Sequence, residues 1–126
     1  MKTLLWVIAE VVIIFVLLSL PGNNFGDHSS WFKEFPVDKL VHMILFGSLA
    51  LSIFFYFEAS TLIILKSIRA KALALIVCIV YGIAMEYYQK YFVPSRGFEV
   101  ADMLADAAGA LIALPLFNIF KNKFLK

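Results

Sequence analysis

The sequence predicts an all-α integral membrane protein, a bundle of four transmembrane helices, and two observations support that class. The 126-residue chain is 63% hydrophobic and only 16% charged, whereas a soluble domain of this size carries about a quarter charged residues. The hydrophobic residues also gather in four long runs without strand-like alternation. The few polar residues cannot cover these runs from water. Much of the chain must therefore contact lipid. We treat residues 1–126 as a single domain.

Each hydrophobic run has the length of a membrane-crossing helix. In order, the runs are Leu4–Leu20, Leu40–Phe57, Ala70–Tyr88 and Val100–Phe120. A helix needs about 20 residues to cross about 30 Å of hydrocarbon, and it satisfies its own backbone hydrogen bonds there. The first run could instead be a signal peptide, because Lys2 precedes it and Ser19 lies near its end. Its length and its internal Glu10 favour a retained helix.

Positive charges near the predicted helix ends indicate the orientation. One side carries Lys2, Lys66, Arg69, Lys71, Lys121, Lys123 and Lys126, and the other carries Lys33, Lys39, Lys90 and Arg96. Because cytoplasmic loops are enriched in Lys and Arg, we expect both termini in the cytoplasm and the first and third loops outside. The net charge of +2 is too weak and too scattered to indicate a nucleic-acid partner.

Polar residues converge at the predicted external ends of three helices. They are Asp38, Lys39 and His42 on the second helix, Glu86 and Gln89 on the third, Arg96 in the loop that follows, and Asp102 and Asp106 on the fourth. Spacings of three and four residues place side chains on one helical face. We therefore expect these residues to form one ligand-binding pocket. Arg96 is the expected partner of the acids, because its guanidinium can engage two carboxylates at once.

Helix capping explains the positions of some of these acids but not of others. Asp38 and Asp102 lie where an acidic side chain satisfies the first amides of a helix. Glu86 and Asp106 lie about a turn or more inside their helices. Burying a carboxylate costs roughly 2.5–3.5 kcal/mol near the bilayer centre and less near the interface. A structural ion-pair lid and a binding site are both consistent with that pattern. Glu10 is also well inside its helix, so it should face the bundle or a partner.

The segments DKLVHMILFG and YGIAMEYYQKYFVPSRGFEVADMLADAAGA resemble the VanZ-like family of small bacterial membrane proteins. The match covers about residues 36–114, at Asp38, Lys39, His42, Tyr81, Gly82, Glu86, Gln89, Arg96, Asp102, Gly109 and Ala110. Asp106 departs from the pattern, because the family usually has Asn there. Either one acid of the Asp102–Asp106 pair then holds a proton, or Arg96 neutralises both.

This resemblance implies a multi-pass protein of the bacterial cytoplasmic membrane. The family takes its name from a member linked to resistance against a lipoglycopeptide antibiotic, so a link to glycopeptide tolerance is an inherited expectation. The leading hypothesis is an external pocket that engages a membrane lipid or a lipid-linked wall precursor. Arg96 and Lys39 would hold its phosphate or carboxylate, while His42, Glu86 and Asp102 would orient its polar part.

Other functions use the same residues. In an intramembrane acid–base enzyme acting on a lipid-linked substrate, His42 or Glu86 would be the general base. A small proton-coupled carrier would use Glu10 as a second station, and four short helices would then have to form a homo-oligomer to enclose a pathway. A metal ion held by Asp38, His42 and Glu86 is chemically possible. One imidazole among carboxylates is weak evidence, so no metal and no cofactor is predicted.

Overall fold

The computed structural model describes residues 1–20, 37–93 and 100–124, with the side chains of 1–20, 39–93 and 100–123. Four helices account for nearly all of these residues: α1 (Lys2–Leu18), α2 (Val37–Ala59), α3 (Ile68–Phe92) and α4 (Val100–Phe124). A single 3₁₀ turn, Ile63–Lys66, lies between α2 and α3. Each predicted run overlaps one helix, which confirms the all-α class.

Three helices of the described chain, α2, α3 and α4, are long and apolar enough to cross a membrane. Helix α1 has 17 residues and so covers about 26 Å, slightly less than the roughly 30 Å of a hydrocarbon core. Length and composition therefore support three of the four predicted spans. The fourth span stays a prediction.

Local sequence signals determine where α3 begins and ends. At its start, the Ser67 hydroxyl accepts a hydrogen bond of 3.2 Å from the Ala70 amide, as a capping residue does. At its end, Val93 has an extended backbone (φ −110°, ψ 118°), the conformation favoured for a residue before proline, here Pro94. These signals place Glu86 six residues before the C-terminal end of α3.

The most extensive helix contact joins α2 to α4. Their backbones approach closely at Gly109, where an added Cβ would overlap the main-chain carbonyl of Met43. A Cβ at Gly47 of α2 would lie 3.0 Å from the Gly109 carbonyl oxygen. Small residues allow membrane helices to pack this closely in the absence of a hydrophobic driving force. The Gly109 contact therefore holds together the two helices that carry most of the polar cluster.

Helix α1 lies at the edge of the bundle, mainly against α2, and buries only Ile14 and Leu18. Two hydrogen bonds attach its middle to the other helices. The Ser48 hydroxyl donates to Glu10 Oε1 at 2.7 Å, and the Tyr81 hydroxyl donates to the Val11 carbonyl at 2.9 Å. Glu10 thus faces the bundle, as the sequence predicts.

Candidate functional site

A cluster of polar side chains is buried at the end of the bundle where α2 and α4 begin and α3 ends. None of its members is more than 3% exposed: His42, Glu86, Gln89, Asp102 and Asp106. His42 is the sixth residue of α2, which places it about 8 Å inside the helix end. The cluster is therefore inside the bundle.

His42 is held by an acid of α4. Its Nδ1 lies 2.7 Å from Asp106 Oδ1. When Asp106 is ionised its carboxylate only accepts hydrogen bonds, so Nδ1 then carries the proton. The other ring nitrogen, Nε2, lies 3.9 Å from Asp102 Oδ2, which is too long for a hydrogen bond. The imidazole is therefore oriented by Asp106 and presents Nε2 towards Asp102.

The backbone of α3 makes room for this arrangement at Gly82. A Cβ at Gly82 would lie 2.6 Å from Asp106 Oδ2 and 3.0 Å from Asp106 Cβ, closer than non-bonded atoms approach. Any larger residue would displace the carboxylate that holds His42. Gly82 matched the family motif in the sequence, and the structure supplies its physical reason.

Lys39 lies at the edge of the cluster. Its Nζ is 3.6 Å from Asp102 Oδ1, and its side chain is 33% exposed whereas that of Asp102 is 5% exposed. The ammonium group therefore lies between the buried acids and the surroundings of the protein.

Gln89 makes a contact between helices. Its Nε2 donates to the Leu18 carbonyl at 2.9 Å, which is one of the carbonyls left without a helical partner at the end of α1. Nearby, the Ser19 hydroxyl donates to the Tyr88 hydroxyl at 3.1 Å. This contact with α1 explains why Gln89 is buried. A role for Gln89 in ligand binding stays a prediction.

The structure brings together several of the residues that the sequence selected. One potential ligand atom from each of His42, Glu86 and Asp102 lies within 4.8 Å of the other two. Arg96 lies outside the described residues, and for Asp38 the structure describes the backbone alone. Among the described side chains, the group with metal-compatible spacing is therefore His42, Glu86 and Asp102. The predicted place of Asp38 in such a group stays a prediction.

Sequence reasoning missed the direct pairing of His42 with Asp106, which joins residues 64 positions apart. Among the described residues, Lys39 lies near Asp102 and His42 contacts Asp106. The predicted role of Arg96 as a partner of the two aspartates lies outside these residues and stays a prediction. No local spacing could reveal these pairs. The available signal was that His42 and Asp106 both lie more than a turn inside their helices.

The other end of the bundle carries charges in a different setting. Lys121 Nζ lies 3.1 Å from Glu58 Oε1, with side-chain exposures of 40% and 17%. Lys71 Nζ lies 4.6 Å from the centre of the Phe117 ring, where a cation is attracted by the aromatic face. Both lysines satisfy their charge near the surface, so this end has no buried cluster among the described residues.

Long apolar helices around a buried histidine–carboxylate cluster define the chain as a helical membrane protein with an internal polar site. Its family follows from the sequence profile of VanZ/LLP1, which matches residues 3–121. The chain belongs to the VanZ/LLP1 family, which confirms the resemblance seen in its motifs. No curated protein and no solved structure matches the chain significantly.

Proposed function

We propose that this protein of the bacterial cytoplasmic membrane binds the headgroup of a membrane lipid or of a lipid-linked wall precursor. One observation carries the proposal: a buried set of hydrogen-bonding side chains has a partly exposed cation, Lys39, at its edge. Buried ionisable residues are expensive in a membrane protein and usually mark a functional site. Membership of the VanZ/LLP1 family supports an envelope membrane protein.

The charges of the cluster restrict the chemistry of the ligand. Glu86, Asp102 and Asp106 would repel an anion that entered fully, so a phosphate or carboxylate would stay at the edge beside Lys39. The acids would instead accept hydrogen bonds from hydroxyl or amino groups that reach further in. This pattern favours a ligand with an anionic group next to several hydrogen-bond donors, such as a phosphorylated sugar or a phosphorylated amino alcohol.

A groove lined in part by Leu40, the residue after Lys39, offers a place for the hydrocarbon part of such a ligand. The groove lies between α2 and α4, has a volume of about 370 Å³, and begins at Leu40. Its lining is almost entirely apolar: Leu40, Met43, Ile44, Gly47, Ser48, Leu51, Gly109, Ile112 and Leu116. A chain lying in this groove would bring its headgroup to Lys39. The groove therefore supports a lipid-linked ligand over a small soluble one.

Mass spectrometry of lipids that copurify with the protein tests the proposal. The protein would be extracted from native membranes into nanodiscs as wild type, Lys39→Gln and the control Lys121→Gln. We expect an enriched anionic lipid in the wild type and in the control, and its loss in Lys39→Gln. Equal lipid content in all three would contradict the proposal. Loss of glycopeptide tolerance in cells carrying Lys39→Gln, but not Lys121→Gln, would extend it to the expected phenotype.

The proposal also places the cluster at the external face, with both termini in the cytoplasm and α1 as a fourth span. Cysteine labelling tests this orientation in intact cells, on a Cys78→Ser background that removes the native buried thiol. We expect an impermeant maleimide to label Ser95→Cys and to leave Asn122→Cys unlabelled. The opposite result would put the cluster on the cytoplasmic side and exclude external wall precursors.

An intramembrane acid–base enzyme is the second candidate, favoured by the 2.7 Å contact between His42 and Asp106. A carboxylate that orients an imidazole raises its ability to take up a proton from a substrate. A copurified lipid whose mass changes on incubation with wild type, but not with His42→Gln, would favour catalysis. A ligand that is bound and released unchanged would favour the binding protein.

A further inference from the structure

We infer that His42, Glu86 and Asp102 form a binding site for one divalent transition-metal ion, with Asp106 as the residue that positions His42. The three side chains come from α2, α3 and α4, and each is no more than 3% exposed. A potential ligand atom from each lies within 4.8 Å of the others. One imidazole nitrogen and two carboxylates are a donor set that Zn²⁺ and its neighbours in the first transition row accept.

The distances suit a site that closes slightly around an ion. Two ligands of a tetrahedral Zn²⁺, each about 2.05 Å from the metal, lie roughly 3.4 Å apart. His42 Nε2 and Asp102 Oδ2 are 3.9 Å apart, so an approach of about 0.5 Å would bring them to that spacing. They are too far apart to hydrogen-bond to each other, and an ion between them would join them.

The orientation of the imidazole is the second argument. A metal-bound histidine normally donates its other ring N–H to a carboxylate, which fixes the ring and makes the binding nitrogen more basic. Asp106 Oδ1 accepts that hydrogen bond from His42 Nδ1 at 2.7 Å. Nε2 is thereby directed to the side of Asp102, as a metal ligand requires.

Lys39 does not obstruct this site. Its Nζ contacts Asp102 Oδ1, whereas Oδ2 is the oxygen that faces His42. One carboxylate can therefore meet the lysine and the ion at the same time. Three protein ligands leave a fourth position open, as in catalytic zinc sites. Mg²⁺ and Ca²⁺ prefer six or more oxygen ligands, so the site should discriminate against them.

Metal titration of the full chain tests the inference. The protein would be purified in detergent with its affinity tag removed, stripped with a chelator, and titrated with Zn²⁺ in a calorimeter. Co²⁺ would then serve as a probe, because its visible absorption reports the ligands around it. The ligand variants are His42→Gln, Glu86→Gln and Asp102→Asn. Glu58→Gln is the matched control, because it neutralises a carboxylate at the other end of the bundle.

We expect about one Zn²⁺ per chain in the wild type and in Glu58→Gln. Each ligand variant should lower the Zn²⁺ affinity by at least about 100-fold, and Asp106→Asn by about 10-fold, as loss of an orienting carboxylate does. Stoichiometry well below one in the wild type would overturn the inference. Equal binding by the ligand variants would also overturn it, because the ion would then lie elsewhere.

Variants of the site residues could fail to fold, so a second measurement leaves all four of these residues unchanged. His28→Gln leaves His42 as the one histidine of the chain, so its imidazole nitrogens give single signals in a ¹⁵N-histidine NMR spectrum. Zn²⁺ should change the ¹⁵N chemical shift of Nε2 and leave Nδ1 hydrogen-bonded. An unchanged chemical shift of Nε2 would overturn the site. The metal site does not depend on the headgroup proposal: a chain that binds Zn²⁺ and no lipid would support the one and contradict the other.

Discussion

The two ends of the helical bundle carry the same kinds of charged groups in opposite surroundings. At one end, Asp102 and Asp106 are no more than 3% exposed and meet Lys39 and His42. At the other end, Lys121 is 40% exposed where it meets Glu58. Exposed pairs contribute about 0–1 kcal/mol, whereas leaving a buried hydrogen-bonding group without its partner costs about 1–3 kcal/mol, and more when that group is charged. Burial, more than residue type, therefore determines how much each pair contributes to the stability of the protein.

The comparison distinguishes a buried cluster, which depends on the packing around it, from a partly exposed ion pair, which does not. The buried end needs close helix packing, a glycine beside Asp106, and Lys39 and His42 as partners of the two aspartates. The exposed end can replace either partner by water. Substitutions should therefore have graded effects, and four of them test the comparison from the largest effect to the smallest.

Gly109→Ala should have the largest effect. Its Cβ would overlap the main-chain carbonyl of Met43, and backbone cannot rotate away as a side chain can. We expect a loss of about 3 kcal/mol or more, at the upper end of overpacking costs. Yield of monodisperse protein and the thermal midpoint in detergent measure it. Gly47→Ala is the control, because its Cβ would meet the Gly109 oxygen at 3.0 Å, and it should be milder. Equal stability of both variants would contradict the close approach.

Asp106→Ala should destabilise the protein by about 1–3 kcal/mol, because His42 Nδ1 is buried and would lose its acceptor. Asp106→Asn retains a carbonyl oxygen that can accept from Nδ1, so its cost should be less than about 1 kcal/mol. Thermal unfolding of the two variants measures the difference. If Asn and Ala were equally destabilising, the contact with His42 would not be what Asp106 contributes.

Gly82→Ala should disturb the site more than the fold. The new Cβ would lie 2.6 Å from Asp106 Oδ2, and the carboxylate can move where a backbone cannot. We expect a cost of about 1–2 kcal/mol and a drop of about 10-fold in Zn²⁺ affinity, as for other changes in orienting partners. Calorimetric titration beside a thermal melt separates the two effects. Unchanged affinity would show that Asp106 need not hold its position for the ion to bind.

Lys121→Gln should have the smallest effect, less than about 1 kcal/mol, because its pair with Glu58 is partly exposed and water can replace it. Thermal melts at low and high salt check this, and the small difference should shrink as salt screens the pair. A loss as large as that of Asp106→Ala would remove the distinction between the two ends.

The fold was predictable because the signal for it is local. Runs such as Ala70–Tyr88 are apolar along their whole length, and the helix found there, Ile68–Phe92, extends by a few residues at each end. The exact ends depended on the Ser67 cap and on Pro94, which are also local features. The crossing of α2 and α4 at Gly109 was not predictable, because two glycines in separate runs do not specify which faces meet.

The gathering of buried charged residues at one end of the bundle was predictable, and their pairing was not. Charged residues such as Glu86 and Asp106 stand out in apolar runs because their burial is costly. Which acid meets which base depends on helix rotation, which the sequence does not state, so the contact between His42 and Asp106 could not be predicted. The role of Gly82 could not be predicted for the same reason, because it depends on which faces of α3 and α4 meet.

The backbone contact at Gly109 has a consequence for the way the protein responds to bilayers of different thickness. A membrane that is thicker or thinner than a helix makes it tilt, at a modest cost per ångström. Helices α2 and α4 touch backbone to backbone between Met43 and Gly109, next to His42 in one helix and one turn from Asp106 in the other. They should therefore tilt as one body, with α1 taking up the mismatch at the edge of the bundle. The distance between His42 and Asp106 should then stay nearly constant from one membrane to another.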